Sequence, residues 1–287
     1  MKFIFKDQIA KILIRLWPSY IGLSRVFDFL MPLNPPNDLV VKKLSGFPLK
    51  LQFKPSTYLG MFLYYRGMYE EGVIKKLKKL LKPKMTFVDV GANIGLYSVI
   101  GAYLVGDLGQ VIAFEPQSEL KNIFLANLKI NRLSNVTLKS TALGKFSGAG
   151  KLYQVSQINE GQATLKTGDN EGFFGNPEKV SIQKLSDVLE ELGIDDIDGI
   201  KIDTEGAELD VLEGFRSHLE KKPPNFILLE CIENHLNRFG NDTNSVILFL
   251  QQFNYRIYCL YHGRWRSIVS YTDHKNYGFS PDILAVQ

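Results

Sequence analysis

From residue 86 onward, short apolar runs rich in β-branched residues alternate with stretches whose apolar positions recur at helical spacing. The pattern predicts strands at 86–90, 111–114, 136–140, 199–203 and 225–231, and helices from Leu96 and at 117–131, 182–192, 207–219 and 243–253. Such alternation predicts a doubly wound α/β domain, a mostly parallel sheet with helices on both faces. The last runs, 255–261, 265–270 and 282–286, with a His262–Gly263 turn between the first two, suit antiparallel strands along one edge of that sheet. Ahead of the alternation lie strand-like pieces at 39–41 and 49–53, an aromatic-rich segment and a helical stretch at 70–81 that stops at Pro83. The Gly, Asn, Gln and Ser residues between Gly144 and Val180 read as irregular strands or a mobile flap that could select the substrate. The proline-rich 31–37 segment, MPLNPPN, breaks the chain, which divides into an N-terminal helical and basic extension, 1–68, and a main domain, 69–287.

The first strand, TFVDV, runs into Gly91, Asn93 and Gly95 before its helix begins. Glycines let the backbone turn sharply and approach a ligand, and the helix that follows offers unpaired N–H groups and a positive dipole end. A turn of this kind suits a cofactor that carries a nucleoside. The dinucleotide fingerprint G-x-G-x-x-G is absent, because Asn93 stands where its second glycine belongs, so a hydride-transfer reading loses its main support. The second strand ends in Glu115, a carboxylate suited to accept two hydrogen bonds from a ribose diol.

Four blocks, VDVGANIGLYS from Val88, FEP at Phe114–Pro116, IKIDTEGAELDVLEGF at Ile200–Phe215 and ILLE at Ile227–Glu230, together resemble the FkbM family of S-adenosylmethionine-dependent methyltransferases. The resemblance runs from about Tyr69 to Glu230 and is specific in pairing a D-x-G-A-N-x-G turn with a later K-x-D-x-E-G-x-E block. It implies a Rossmann-like methyltransferase sheet, S-adenosyl-L-methionine as cofactor and, as the usual acceptor, a hydroxyl oxygen. It implies cofactor contacts for Asp89, Gly91, Ala92, Asn93, Gly95, Tyr97, Ser98, Glu115 and Pro116, with Thr141 and Ala142 toward the adenine. Tyr69 and Glu70 match a Y-E pair that the family places beside the cofactor; helix capping is their plainer role.

Methyl transfer to a hydroxyl needs an acceptor held in line and a group to take its proton. Lys201, Asp203, Glu205 and Glu208 are the densest chemistry in the chain, and ligands of doubly wound sheets bind outside the carboxyl ends of the strands. Asp203 and Glu205 are therefore the candidate catalytic acids, since neighbouring carboxylates raise one another's pKa toward that of a useful base. Capping of the next helix is the competing role for both. No third oxygen ligand accompanies them, so no metal is expected. Glu230 and His235, just past the fifth strand, are the candidate substrate contacts.

Charge adds one feature. Residues 1–84 hold 16 Lys and Arg against 5 Asp and Glu, a surplus of +11, leaving 18 against 25, or −7, for the remainder. The basic part lies outside the motifs and suggests attraction to an anionic surface, with a solvated basic face as the alternative. Ile9, Leu13, Leu16 and Trp17 recur at helical spacing and fit either an amphipathic helix on a bilayer or packing against the main domain. No apolar run is long enough to span a membrane, and Cys231 and Cys259 lack metal-ligand spacing and read as reduced core thiols. These readings expect a cytoplasmic enzyme, peripheral at most to the inner face of a membrane, acting on a small-molecule or glycan acceptor rather than on nucleic acid. A nucleic-acid methyltransferase and a non-catalytic, membrane-associated cofactor-binding scaffold are the alternatives. Oligomeric state is not legible.

Overall fold

The computed structural model describes residues 35–155, 163–166, 173–270 and 282–287. The helical pattern at 9–17, the first part of the 31–37 break, and 156–162 and 167–172 of the region between Gly144 and Val180 lie outside the described residues.

The chain opens with an antiparallel hairpin, β1 (Val40–Lys43) and β2 (Lys50–Phe53), followed by α1 (Tyr58–Arg66) and α2 (Glu71–Leu80). The aromatic-rich segment is thus the helix α1, begun by the Thr57 side chain accepting from the Gly60 N–H and ended by left-handed Gly67. The alternation follows as β3 (Thr86–Val90), α3 (Leu96–Val105), β4 (Gln110–Phe114), α4 (Ser118–Asn131) and β5 (Val136–Lys139). After an inserted small sheet come α5 (Leu185–Glu191), β10 (Gly199–Ile202), α6 (Glu208–Gly214), α7 (Arg216–Lys221), β11 (Phe226–Glu230), α8 (Glu233–Arg238) and α9 (Thr243–Gln251). Strands β12 (Arg256–Tyr261), β13 (Arg264–Ile268) and β14 (Asp282–Val286) finish the sheet.

Eight strands form the main sheet in the order β13-β12-β14-β11-β10-β3-β4-β5, parallel from β11 to β5 and antiparallel on the β14–β12–β13 side. The central strands carry Val, Ile, Leu and Phe on both faces because helices cover both, as expected of a buried parallel sheet. One core cluster joins β10 and β11 to α6 and α9; the other joins α2, α3 and α4 to the hairpin through Leu49, Leu51 and Phe53. The hairpin is therefore packed into the core against α4. Asn127 on α4 fastens it there, accepting from the Gln52 N–H at 2.6 Å while donating to the Ile94 carbonyl at 2.8 Å.

One expectation is resolved and two need correction. Of the irregular strands or flap expected after Gly144, the described residues show strands, with a bulge between Leu152 and Gln154: β6 (Ala142–Leu143), β7 (Gly148–Gln154), β8 (Ala163–Thr164) and β9 (Phe174–Gln183) make a second sheet ordered β6-β9-β7-β8. Its polar composition reflects an exposed sheet with a small core of Ala142, Leu152 and Val180. The helix expected at 182–192 begins only at Leu185, because Ile182 and Gln183 pair with Ala142 and Leu143 in this sheet. The single helix expected at 207–219 is two, α6 and α7, meeting at Phe215, a ring wholly buried in the core.

Candidate functional site

Two turns meet at the carboxyl ends of β3 and β10. The first leaves β3 at Gly91, whose φ of +78° only glycine adopts without strain and where a methyl group would overlap the Asp203 carbonyl oxygen of the second turn. Gly91 and Ala92 donate their N–H groups to the Phe114 carbonyl at 3.0 and 2.9 Å. Asn93 is left-handed and caps its own turn, its Oδ1 accepting from the Ile94 N–H at 2.7 Å. Gly95, at φ +88°, lies so close to the Phe124 ring that a side chain would push it aside.

Glu115 locks this turn from the neighbouring strand. Its Oε2 accepts from the Asn93 N–H and its Oε1 from the Gln117 N–H, each at 2.8 Å. Burial raises its pKa to about 7 against the lowering effect of those two N–H groups. The carboxylate expected to meet a ribose is thus also the clamp that fixes both strand-to-helix turns, and Pro116 continues the second of them.

Beneath the turn, Asp89 is buried at the end of β3. Ser98 donates its hydroxyl to Asp89 Oδ2 at 2.6 Å, whereas Oδ1 is buried without a partner among the described residues. Lys201 sits opposite on β10, its Nζ 2.7 Å from Asp203 Oδ2 and 4.4 Å from the centre of the Tyr97 ring. Burial works against its charge, yet Asp203, Glu70 and Asp89 together hold the ammonium above the usual lysine pKa. Tyr97 donates its hydroxyl to Glu70, whose own pKa burial lifts to about 7. Glu70 occupies the position before α2 with no capping bond from its side chain, so the capping alternative fails for it. Tyr69 packs edge-on against Tyr58 and Phe62.

The second turn is held by a residue whose role the sequence pattern did not show. Glu208, in the first turn of α6, is buried, and its Oε1 accepts from the Thr204 N–H at 2.9 Å, the Thr204 hydroxyl at 3.1 Å and the Gly206 N–H at 3.1 Å. Burial raises its pKa to about 7. Neither Asp203 nor Glu205 caps the helix, which corrects the alternative weighed for them. Glu205 is left-handed, at φ +53°, and its Oε2 lies 2.7 Å from His235 Nδ1. Burial raises the Glu205 pKa and the imidazole opposes the rise. From the small sheet, the Thr164 hydroxyl donates to the Glu205 carbonyl at 3.4 Å.

Glu230 ends β11 directly across from Asp282, the first residue of β14. Burial and the nearby Asp203, Glu70 and Asp282 push the Glu230 pKa well above the carboxylate range. No spacing in the chain announces Asp282, because only the insertion of β14 beside β11 brings it here. Thr141 precedes and Ala142 opens β6, and the Thr141 hydroxyl donates to the Ser181 carbonyl at 2.9 Å. Their polar contacts serve the junction of the two sheets.

The chain's residues therefore make a narrow glycine cradle, an unpartnered buried carboxylate oxygen at its floor and an acid–imidazole pair at its rim. This set fits a small cationic nucleoside cofactor: the cradle admits backbone approach, and Asp89 Oδ1 and Glu115 are acceptors for an ammonium and a ribose.

The methyltransferase FkbM domain family matches residues 89–257. Methyltransferase sdnD of Sordaria araneosa is 34% identical over 44% of this chain and 59% of its own length. Methyltransferase 1 of Beauveria bassiana is 28% identical over 44% of this chain and 57% of its own. The chain thus matches little more than half the length of these relatives. A precorrin-6y C5,15-methyltransferase from Geobacter metallireducens has a TM-score of 0.43 at 16% identity, over 76% of this chain and 88% of that one.

Proposed function

Because this chain belongs to the family of FkbM methyltransferase domains, we propose that it methylates a hydroxyl oxygen of a sugar, in a polysaccharide or glycolipid, or of a secondary metabolite. S-adenosylmethionine is the cofactor. When bound it supplies a sulfonium methyl group that an acceptor oxygen takes by in-line displacement, leaving S-adenosylhomocysteine. The observation that carries the reading is the meeting of the two turns, with Gly91 pressed against the Asp203 backbone and an unpartnered oxygen of Asp89 just below.

Asp89 would hold the amino end of the cofactor and Glu115 its ribose, while the Gly91–Gly95 backbone, whose N–H groups are already paired within the turn and with Phe114 and Glu115, gives the cofactor room for close approach. Asp203, with its charge balanced by Lys201, accepts a hydrogen bond from the acceptor hydroxyl and orients it. Glu205 and His235 take the proton that the hydroxyl loses: the imidazole beside the acid moves it out of the mouth. Glu230 and Asp282 line the acceptor side with hydrogen-bond acceptors suited to a polyol.

Calorimetry with S-adenosylmethionine, S-adenosylhomocysteine and NAD tests the first half. Binding of the first two, lost in Gly91→Val and weakened in Glu115→Ala, supports the reading, and binding of NAD alone sinks it. For the second half, Glu205→Gln should lower the methylation rate by about a hundredfold with cofactor affinity unchanged, the usual size of a lost general base. An unaltered rate would remove the pair from the chemistry.

A further inference from the structure

The end of the main sheet opposite the mouth carries a dense cationic surface. Helix α2 buries Val73, Ile74 and Leu77, which turns Lys75, Lys78 and Lys79 outward, and Lys82 and Lys84 continue the exposed row into the turn before β3. That turn lies beside the loop after α3: the Lys84 N–H donates to the Val105 carbonyl at 2.8 Å and the Gln110 N–H to the Met85 carbonyl at 3.1 Å. Leu108 projects from that loop, 77% exposed. Lys78 Nζ stands 5.1 Å from the centre of the Phe47 ring, which meets Tyr103 edge-on at 6.2 Å, and Tyr103 is itself 45% exposed. The lysines and the two apolar side chains therefore form one continuous face. The acids at this end are Glu71, paired with Arg66 and Lys75, Asp198, which accepts the Thr86 N–H, Asp107 beside Leu108, and Asp195 and Asp196 in the loop before β10, the latter paired with Lys222.

We propose that this face docks on the surface of an anionic phospholipid bilayer, with Leu108 and Tyr103 entering the headgroup layer and the mouth turned toward water. Three features select that partner. Every cation from residue 75 to 84 is a lysine, a point charge suited to a diffuse anionic surface, whereas pinned phosphates of nucleic acid favour the two-pronged arginine. Exposed leucine and tyrosine among lysines match an interface that is apolar just beneath its charge. The basic surplus is not confined to this row, since residues 1–34 hold 5 Lys and Arg against 2 Asp and Glu, and that charge adds to the attraction toward an anionic surface. The acids of the mouth, Glu70, Asp203, Glu205, Glu230 and Asp282, sit at the far ends of the strands, so this orientation keeps them away from the anionic surface. The acceptor then arrives from solution or is the distal part of a tethered glycan.

The test is sedimentation of the full chain with phosphatidylcholine vesicles, with and without phosphatidylglycerol, over a range of salt. Binding should require the anionic lipid and fall with salt. A triple variant, Lys78→Glu, Lys79→Glu, Lys82→Glu, should bind about a hundredfold more weakly, given the contribution of each lysine near such a surface, and Leu108→Asp about tenfold more weakly. Circular dichroism and cofactor binding establish that both variants are folded. Absence of binding to either vesicle overturns the proposal. Equal vesicle binding by the triple variant also overturns it, as does an RNA affinity above the vesicle affinity that Leu108→Asp leaves unchanged.

Discussion

The two turns at the mouth are each closed by one buried glutamate that gathers backbone N–H groups, but the glutamates come from different places. Glu115 reaches the Gly91–Gly95 turn from the next strand of the sheet, and Glu208 reaches the Thr204–Gly206 turn from the helix which that turn begins. The first turn is thus held by tertiary structure and shaped by steric exclusion, since only glycine fits against the Asp203 carbonyl. The second is clamped locally, by the helix it begins; it too contains a sterically required glycine, Gly206 against the His235 carbonyl, and each turn holds one left-handed non-glycine residue, Asn93 in the first and Glu205 in the second. A turn clamped from another strand is rigid enough to receive a cofactor. A turn clamped by its own helix leaves its side chains available for acid–base work.

Perturbing each turn in its own way separates these roles. The largest effect is expected from Gly91→Val, which forces the two turns apart and should cost about a hundredfold or more in S-adenosylhomocysteine affinity by calorimetry. Next is pH. Glu115 and Glu208 have folded pKa values near 7, above the ordinary carboxylate value, so the folded state holds protons that the unfolded chain has released. Their contribution to stability is fully present below the unfolded pKa and is lost as pH rises through about 7. Thermal melts of the cofactor-free protein should therefore lose a few kcal/mol of stability between about pH 5 and pH 8. Glu115→Gln and Glu208→Gln should each flatten part of that slope, and an unchanged slope in both would assign it elsewhere.

Glu208→Ala, measured by urea unfolding near pH 6, should destabilise by about 2 kcal/mol, because it leaves the Thr204 and Gly206 N–H groups without their acceptor. It should lower the methylation rate more than cofactor affinity. If affinity falls as much as the rate, the two turns do not have separate roles. Smallest is Asn127→Ala, about 1 kcal/mol, since it loosens the hairpin and the Ile94 carbonyl together. That variant should weaken cofactor binding slightly and leave the Glu205–His235 pair as it was.

The same contrast marks what the sequence reveals. Strand, glycine turn and helix are neighbours in the chain, so the cradle from Asp89 to Ser98 and the acid at Glu115 are visible as spacing, as is the mostly parallel sheet with its antiparallel edge. Glu208 stood within a visible block, but its task depends on the path of a turn that spacing does not specify. Asp282 and Asn127 were invisible as site residues for another reason. Each acts on segments 50 or more residues away, Glu230 in one case and Gln52 in the other, and only the fold makes them neighbours. The second sheet was obscured because exposed strands need few apolar residues, and polar composition there imitates a loop.

Strand β14 lies between β11 and β12, although the β12–β13 hairpin precedes it in the chain. The two edges that β11 and β12 turn toward each other are satisfied only by residues 282–286, whose Ile283, Leu284 and Ala285 lie wholly in the core. A chain in which that strand is displaced would present two adhesive edges to other chains. It would also lose Asp282 from the mouth, so the segment that guards the sheet against aggregation is the one that completes this side of the site.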